Sequence, residues 1–141
     1  GVKMLAGVEI LMTANTRIDV QDANGNQAYL QLEGHAGKPV RIGGVEDVAG
    51  FWYGITYSSD HANNHIKYAT ISNAGKPIPS NFSAALTVDN VPRGSLKVEN
   101  TTIRKSGEHG IAVAKVYSSS LEVSELEFLQ VAGTTIYKWG N

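Results

Sequence analysis

Residues 86–110, LTVDNVPRGSLKVENTTIRKSGEHG, are followed by residues 111–135, IAVAKVYSSSLEVSELEFLQVAGTT, and both lines carry one apolar pattern. Leu86, Ile111 and Ile136 stand 25 residues apart, as do Val88 and Val113, Val91 and Val116, Leu96 and Leu121, Val98 and Val123, and Ile103 and Phe128. Self-similarity at a fixed period of this length marks a solenoid: one repeat cannot bury its apolar face alone and must stack on the next.

The register extends backwards once an insertion is allowed. Ile66, Ile71 and Gly75 match Val98, Ile103 and Gly107 at an offset of 32, seven more than 25. The segment Pro77-Ile78-Pro79-Ser80-Asn81-Phe82-Ser83 supplies those seven residues, and its two prolines suit an excursion better than a strand. Period-two alternation of β-branched and aromatic residues recurs in short segments, such as Leu86-Thr87-Val88, Leu96-Lys97-Val98, Ile111-Ala112-Val113 and Leu121-Glu122-Val123. Turn residues lie between them, including Asp22 to Asn26, Gly43-Gly44, Ser58 to Asp60 and Asn73 to Gly75. Helix is poorly supported throughout.

The fold class expected is all-β, a parallel β-helix (solenoid) of about five coils with a period of 25 residues, forming one domain over 1–141. Leu86, Val88, Leu96, Val98, Ile103, Ile111, Val113, Leu121, Val123 and Phe128 are the expected inward residues. Burial of each contributes about 1.5–3 kcal/mol before entropy is subtracted. Thr87, Lys97, Glu99, Ala112 and Glu122 are the expected outward residues. In the amino-terminal half, Val8 to Met12, Arg17 to Val20, Tyr29 to Leu32, Pro39 to Ile42 and Trp52 to Tyr57 read as further strands.

Composition sets bounds on function. Charged residues make up 18% and the net charge is −1, which offers no electrostatic case for nucleic acid or an anionic membrane surface. No apolar run approaches the ~18 residues of a membrane helix, so membrane insertion is not expected. The chain has no cysteine, which excludes a disulfide scaffold and thiolate metal sites. No motif implies a cofactor. The opening Gly1-Val2, without an initiator Met, is expected of a trimmed or mature chain, such as a fragment of a longer protein.

Four segments carry a resemblance: Gly7-Val8-Glu9-Ile10, Gly37-Lys38-Pro39-Val40-Arg41-Ile42, Trp52-Tyr53-Gly54-Ile55, and Ile66 through Ala74-Gly75. In these the chain resembles the right-handed parallel β-helix domains of bacterial surface and secreted proteins, the non-catalytic branch of a pectate-lyase-like superfold. The resemblance implies a secreted or envelope-associated protein whose export signal is not visible. Such domains include lyases, adhesins and modules of no known activity, so fold does not fix function.

For chemistry, Asp60-His61-Ala62-Asn63-Asn64-His65 holds two histidines four apart, a spacing that shares one face only on a helix. Here the segment is a loop, read as a polar crossover and not as a metal site. Glu99, Glu122, Glu125 and Glu127, with a base among Arg104, Lys105, Glu108 and His109, would be the parts of a polysaccharide lyase or related carbohydrate-active enzyme. Lys97, Glu99 and Glu122 read instead as cross-strand surface pairs, and the aspartates are not stacked at the repeat distance as a hydrolase would need. Exposed aromatics, Tyr53, Tyr57, Tyr68, Tyr117, Tyr137 and Trp139, would form a platform for sugar rings, whose C–H faces pack on aromatic planes. The candidate ligand-binding set is therefore Tyr53, Tyr57, Tyr68, Asp60, His61 and Phe82; core packing is the reading for Trp52 and the alternative for Tyr57. The expected function is a non-catalytic extracellular structural or binding module. Its partner would be a polysaccharide or another protein. Trp139 is expected to fold over the last coil; alternatively another chain covers that end, and a homo-oligomer forms through coil ends or an outer face.

Overall fold

The computed structural model describes residues 1–140; Asn141 lies outside the described residues. Among the described residues thirteen strands wind into five coils. The first coil holds β1 (Val2–Leu5), β2 (Glu9–Met12) and β3 (Arg17–Gln21), and the second β4 (Leu30–Glu33), β5 (Val40–Gly44) and β6 (Gly54–Ser58). The third holds β7 (His65–Lys67), β8 (Ala69–Ser72) and β9 (Ala84–Val88). In the fourth and fifth coils the first two strands fuse, giving β10 (Leu96–Arg104), β11 (His109–Ala114), β12 (Leu121–Leu129) and β13 (Ile136–Trp139). A 3-10 segment, Lys115–Ser120, kinked at Tyr117, joins β11 to β12.

All named pairings are parallel, and they build three walls. The first wall stacks β1, β4, β7 and the leading halves of β10 and β12. The second stacks β2, β5, β8 and the trailing halves of β10 and β12. The third is β3, β6, β9, β11 and β13. Residues at equal register form aliphatic columns through the core, such as Ile10, Ile42, Ile71, Ile103 and Phe128 in the second wall. The middle members, Ile42, Ile71 and Ile103, are each covered by the coil above and below and are fully buried, as repeat stacking requires. In the fifth coil Leu121 and Phe128 are only half-buried and Val123 is exposed, because among the described residues β12 is paired on one side only, with β10.

Two features of the register differ from expectation. The 25-residue step holds between the fourth and fifth coils, but Ile10 and Phe128 lie four steps apart at a mean of about 29 residues. The longer coils carry excursions at their corners: His35 to Lys38, residues 45–51, and residues 77–83. The seven-residue insertion sits where the sequence put it. Gly107 N–H donates to Ala74 O at 2.9 Å and His109 N–H to Ser83 O at 3.1 Å, so nine residue steps in one coil match two in the next. Val91 and Val116, although 25 apart, are 80% and 71% exposed. They share a corner of successive coils, outside the core. Ala112 faces outward as expected yet is fully buried, beside Tyr137 in its column.

Two corners are made by residues in the left-handed region. Tyr68, Asn100 and Glu125 have φ of 50°, 48° and 52°, and Asn73, Lys105 and Gln130 have φ of 67°, 51° and 55°. Each set occupies equivalent positions, adjoining the paired Lys67, Glu99 and Ser124 and the paired Ser72, Arg104 and Leu129. Left-handed backbone costs an L-residue about 1–2 kcal/mol. Stacked parallel hydrogen bonds hold these residues there whatever their local preference. Gly43-Gly44, read as a turn, lies instead within β5, and β1 and β13 are strands that the alternation did not reveal. No helix among the described residues is long and apolar enough to cross a membrane.

Candidate functional site

The third wall's outer surface begins at Tyr53. In a regular strand Trp52 and Ile55 would face opposite sides, since side chains alternate. Gly54, with φ of 117°, resets the alternation, so Trp52 and Ile55 both enter the core while Tyr53 remains half-exposed. A Cβ at residue 54 would stand 2.5 Å from Ala85 O and 2.6 Å from Ala84 O, so the neighbouring coil also requires glycine there. The buried indole Nε1–H donates to Ser72 O at 2.7 Å.

The insertion 77–83 arches over this surface. Its entry is fixed by Gly75 N–H to Tyr53 O at 3.2 Å and Lys76 N–H to Trp52 O at 3.1 Å. Its exit is fixed by Ser83 N–H donating to Glu108 Oε1 at 3.1 Å. Between these anchors Phe82 packs on Trp139, with ring centres 4.7 Å apart, and on Tyr137 at 5.3 Å. Tyr137 stacks in turn on His109 at 4.1 Å with planes within 10°. Trp139 therefore works on the outer wall and does not fold over the end of the stack as expected.

Loop and wall enclose a cleft of about 440 Å³. Its floor is Gly54, Thr56, Ala84 and Thr87, small residues on adjacent strands, with Thr56 directly paired to Thr87. Tyr53, Ile78 and Phe82 form apolar walls, and Arg17 stands at the upper rim, its Nε 3.0 Å from Asp19 Oδ2. The lining carries one cation and no carboxylate.

The six candidate residues thus separate. Tyr53 and Phe82 share the cleft. Tyr57 does not reach a surface: its register opposite Val20 and Val88 points it inward, it is fully buried, and its hydroxyl donates to Leu30 O at 3.2 Å. Burial without a charged partner pushes its phenol well above the usual tyrosine range. Tyr57 therefore belongs to the core and not to a ligand surface. Tyr68 is a corner residue on a different edge, with Lys67 Nζ 6.0 Å from its ring centre. Asp60 and His61 lie on the crossover from β6 to β7, where Asp60 accepts from Gln27 Nε2 at 2.9 Å and His61 packs on Tyr29 at 4.7 Å. Among the described residues no three of His, Cys, Asp and Glu converge as a metal would require.

Glu99 and Glu122 edge a shallow hollow of about 210 Å³ with Lys97 on the first wall. Glu99 receives a 2.6 Å contact from His65 Nε2 and lies 4.0 Å from Lys97 Nζ. The His65 hydrogen bond, foremost, holds its carboxyl below the usual glutamate range. Arg104 and Lys105 are elsewhere, gripping Asp47 at 3.0 and 2.7 Å. With Asn73 they keep the Asp47 carboxyl well below its usual range, Arg104 having the largest effect. The lyase parts named from sequence therefore occupy separate places.

Sequence reasoning had Tyr137 and Trp139 among the aromatics of a sugar platform but did not join them to Phe82, and it missed His109 as the ring stacked on Tyr137. It also missed Arg17, whose position opposite Gly54 depends on a 37-residue step that no repeat revealed.

Comparison with known proteins gives no matching family model, curated protein or solved structure. The parallel β-solenoid is thus carried by the strand pairing itself.

Proposed function

We propose that the chain is a non-catalytic binding module, secreted or associated with a bacterial cell envelope, that holds a carbohydrate polymer in the cleft beneath residues 77–83. The observation that carries this reading is the placement of Tyr53 and Phe82 in one cleft above a floor of Gly54, Thr56 and Thr87. Aromatic rings offer planes for the C–H faces of sugars, and threonine hydroxyls pair with sugar hydroxyls. A cleft of this size suits a few sugar units. The loop is anchored at both ends, so little ordering entropy opposes binding. Absence of carboxylates from the lining favours retention over hydrolysis, which in most such enzymes uses two facing carboxyl groups.

A glycan array probed with the whole chain tests the reading. Retained polysaccharides are expected, with Tyr53→Ala and Phe82→Ala each weakening binding at least tenfold and Tyr68→Phe leaving it unchanged. An array without any retained glycan, or variants that bind as the parent does, overturns the proposal. Appearance of an ultraviolet-absorbing unsaturated product from uronic-acid polymers, lost on chelation, would overturn its non-catalytic part.

A further inference from the structure

A second cleft, of about 400 Å³, lies at the corner where the third wall passes to the first, and shares no residue with the cleft above. Its lining includes Arg93, Ser95, Lys97 and Ser119, with Asp60 and Glu122 completing the edge. Arg93 ends a tight turn. Asn90 and Arg93 form an antiparallel bridge, Gly94 N–H donates to Asp89 O at 2.8 Å, and Asp89 Oδ1 accepts from Asn90 N–H at 2.8 Å. The side chain is fixed as well. Its guanidinium carbon lies 4.6 Å from the Tyr117 ring centre, and its Nε–H donates to Ser120 Oγ at 2.8 Å.

Among the described residues neither terminal NH₂ group of Arg93 has a protein partner, and neither Asp60 nor Glu122 forms an ion pair with it. A guanidinium held by stacking and one hydrogen bond, with its fork unused, is preorganised for bidentate pairing with an oxyanion. Lys97 adds a second cation and the serines add hydroxyl donors. Asp60 and Glu122 repel a bare anion, so the matching ligand also carries hydroxyls for them to accept.

We propose that this cleft is an oxyanion-binding site that takes the carboxylate or sulfate group of a hydroxyl-rich ligand on Arg93. The proposal is independent of the glycan reading of the first cleft.

Titration calorimetry of the whole chain with dextran, carboxymethyl dextran and dextran sulfate at about 0.15 M salt, where long-range attraction is screened, tests it. One or both charged polymers bind at least tenfold more tightly than dextran, and the stronger of them identifies carboxylate or sulfate. Arg93→Lys, which keeps the charge and loses the fork, weakens that binding at least tenfold. Ser119→Asp, which leaves Arg93, Tyr117 and Ser120 in the chain and sets a competing carboxylate in the cleft, does the same, and decides the matter if Arg93→Lys fails to fold by circular dichroism. Lys38→Ala, on a different corner, binds as the parent does. Charged polymers no tighter than dextran would refute the site. So would a Lys38→Ala loss as large as that of Arg93→Lys, or parent-like binding by folded Arg93→Lys or Ser119→Asp.

Discussion

Asn73→Ala should destabilise the solenoid by more than its one small side chain suggests. Asn73 is 3% exposed and has φ of 67°, a conformation asparagine tolerates better than alanine. Its Oδ1 accepts from Gly44 N–H at 3.0 Å, and its Nδ2 donates to Asp47 Oδ1 at 2.8 Å. Its carbonyl accepts from Phe51 and Trp52 at 2.7 and 3.2 Å, tying the 45–51 excursion to the core just before Tyr53. Alanine leaves the part-buried Gly44 N–H without this partner, which costs about 1–2 kcal/mol. The left-handed backbone adds about 1 kcal/mol. The sum of about 2–3 kcal/mol corresponds to a fall in Tm of roughly 6–12 °C for a chain of this size. Asn73→Gly should recover the backbone part and lose only the hydrogen bonds, giving about half to two-thirds of the effect. Thermal melts by circular dichroism measure all three chains. If both variants melted within 2 °C or so of the parent, well inside the shift expected from one lost buried hydrogen bond, Asn73 would not be the tie between coils described above.

Deleting residues 77–83, so that Lys76 joins Ala84, should leave the fold intact, because Glu108 and His109 already make that connection in the next coil; strand circular dichroism should persist while glycan retention is lost. An unfolded product would show that the insertion supports the core and does not merely arch over it. Stability should also depend on acid pH. Asp47, Glu99 and Glu33 have folded-state pKa values below their unfolded ones, owing chiefly to Arg104, His65 and Lys3 respectively. Their contribution is therefore present above the unfolded carboxylate range and is lost as pH falls below about 4. Because these carboxylates are solvent-accessible the slope should be small, and Asp47→Asn should reduce it further; an unchanged slope in that variant would refute the assignment.

Much of the scaffold was legible in the chain because inward alternation is local. Leu86, Ile111 and Ile136 announce one column, and the seven surplus residues between Ala74 and Ser83 announce an excursion. The earlier steps were not legible, because excursions of different length at different corners mask a common register. Tyr57 shows the limit most clearly. Its exposure depends on which residue of β6 faces inward, and Gly54 resets that phase.

Sequence by itself determined a parallel stack of short strands, the insertion that departs from it, and the aromatic residues available near that insertion. Only the tertiary structure decided that Tyr53 and Phe82 meet while Tyr57, Tyr68, Asp60 and His61 do not. It also decided that Tyr68, Glu125, Lys105 and Gln130 turn corners in a conformation their side chains do not favour. The physical reason is common to both. A strand's inward face follows from its own alternating side chains, whereas corners and clefts follow from how separate coils stack. Stacking energy, spread over whole columns of buried aliphatics, overrides the preference of any single residue.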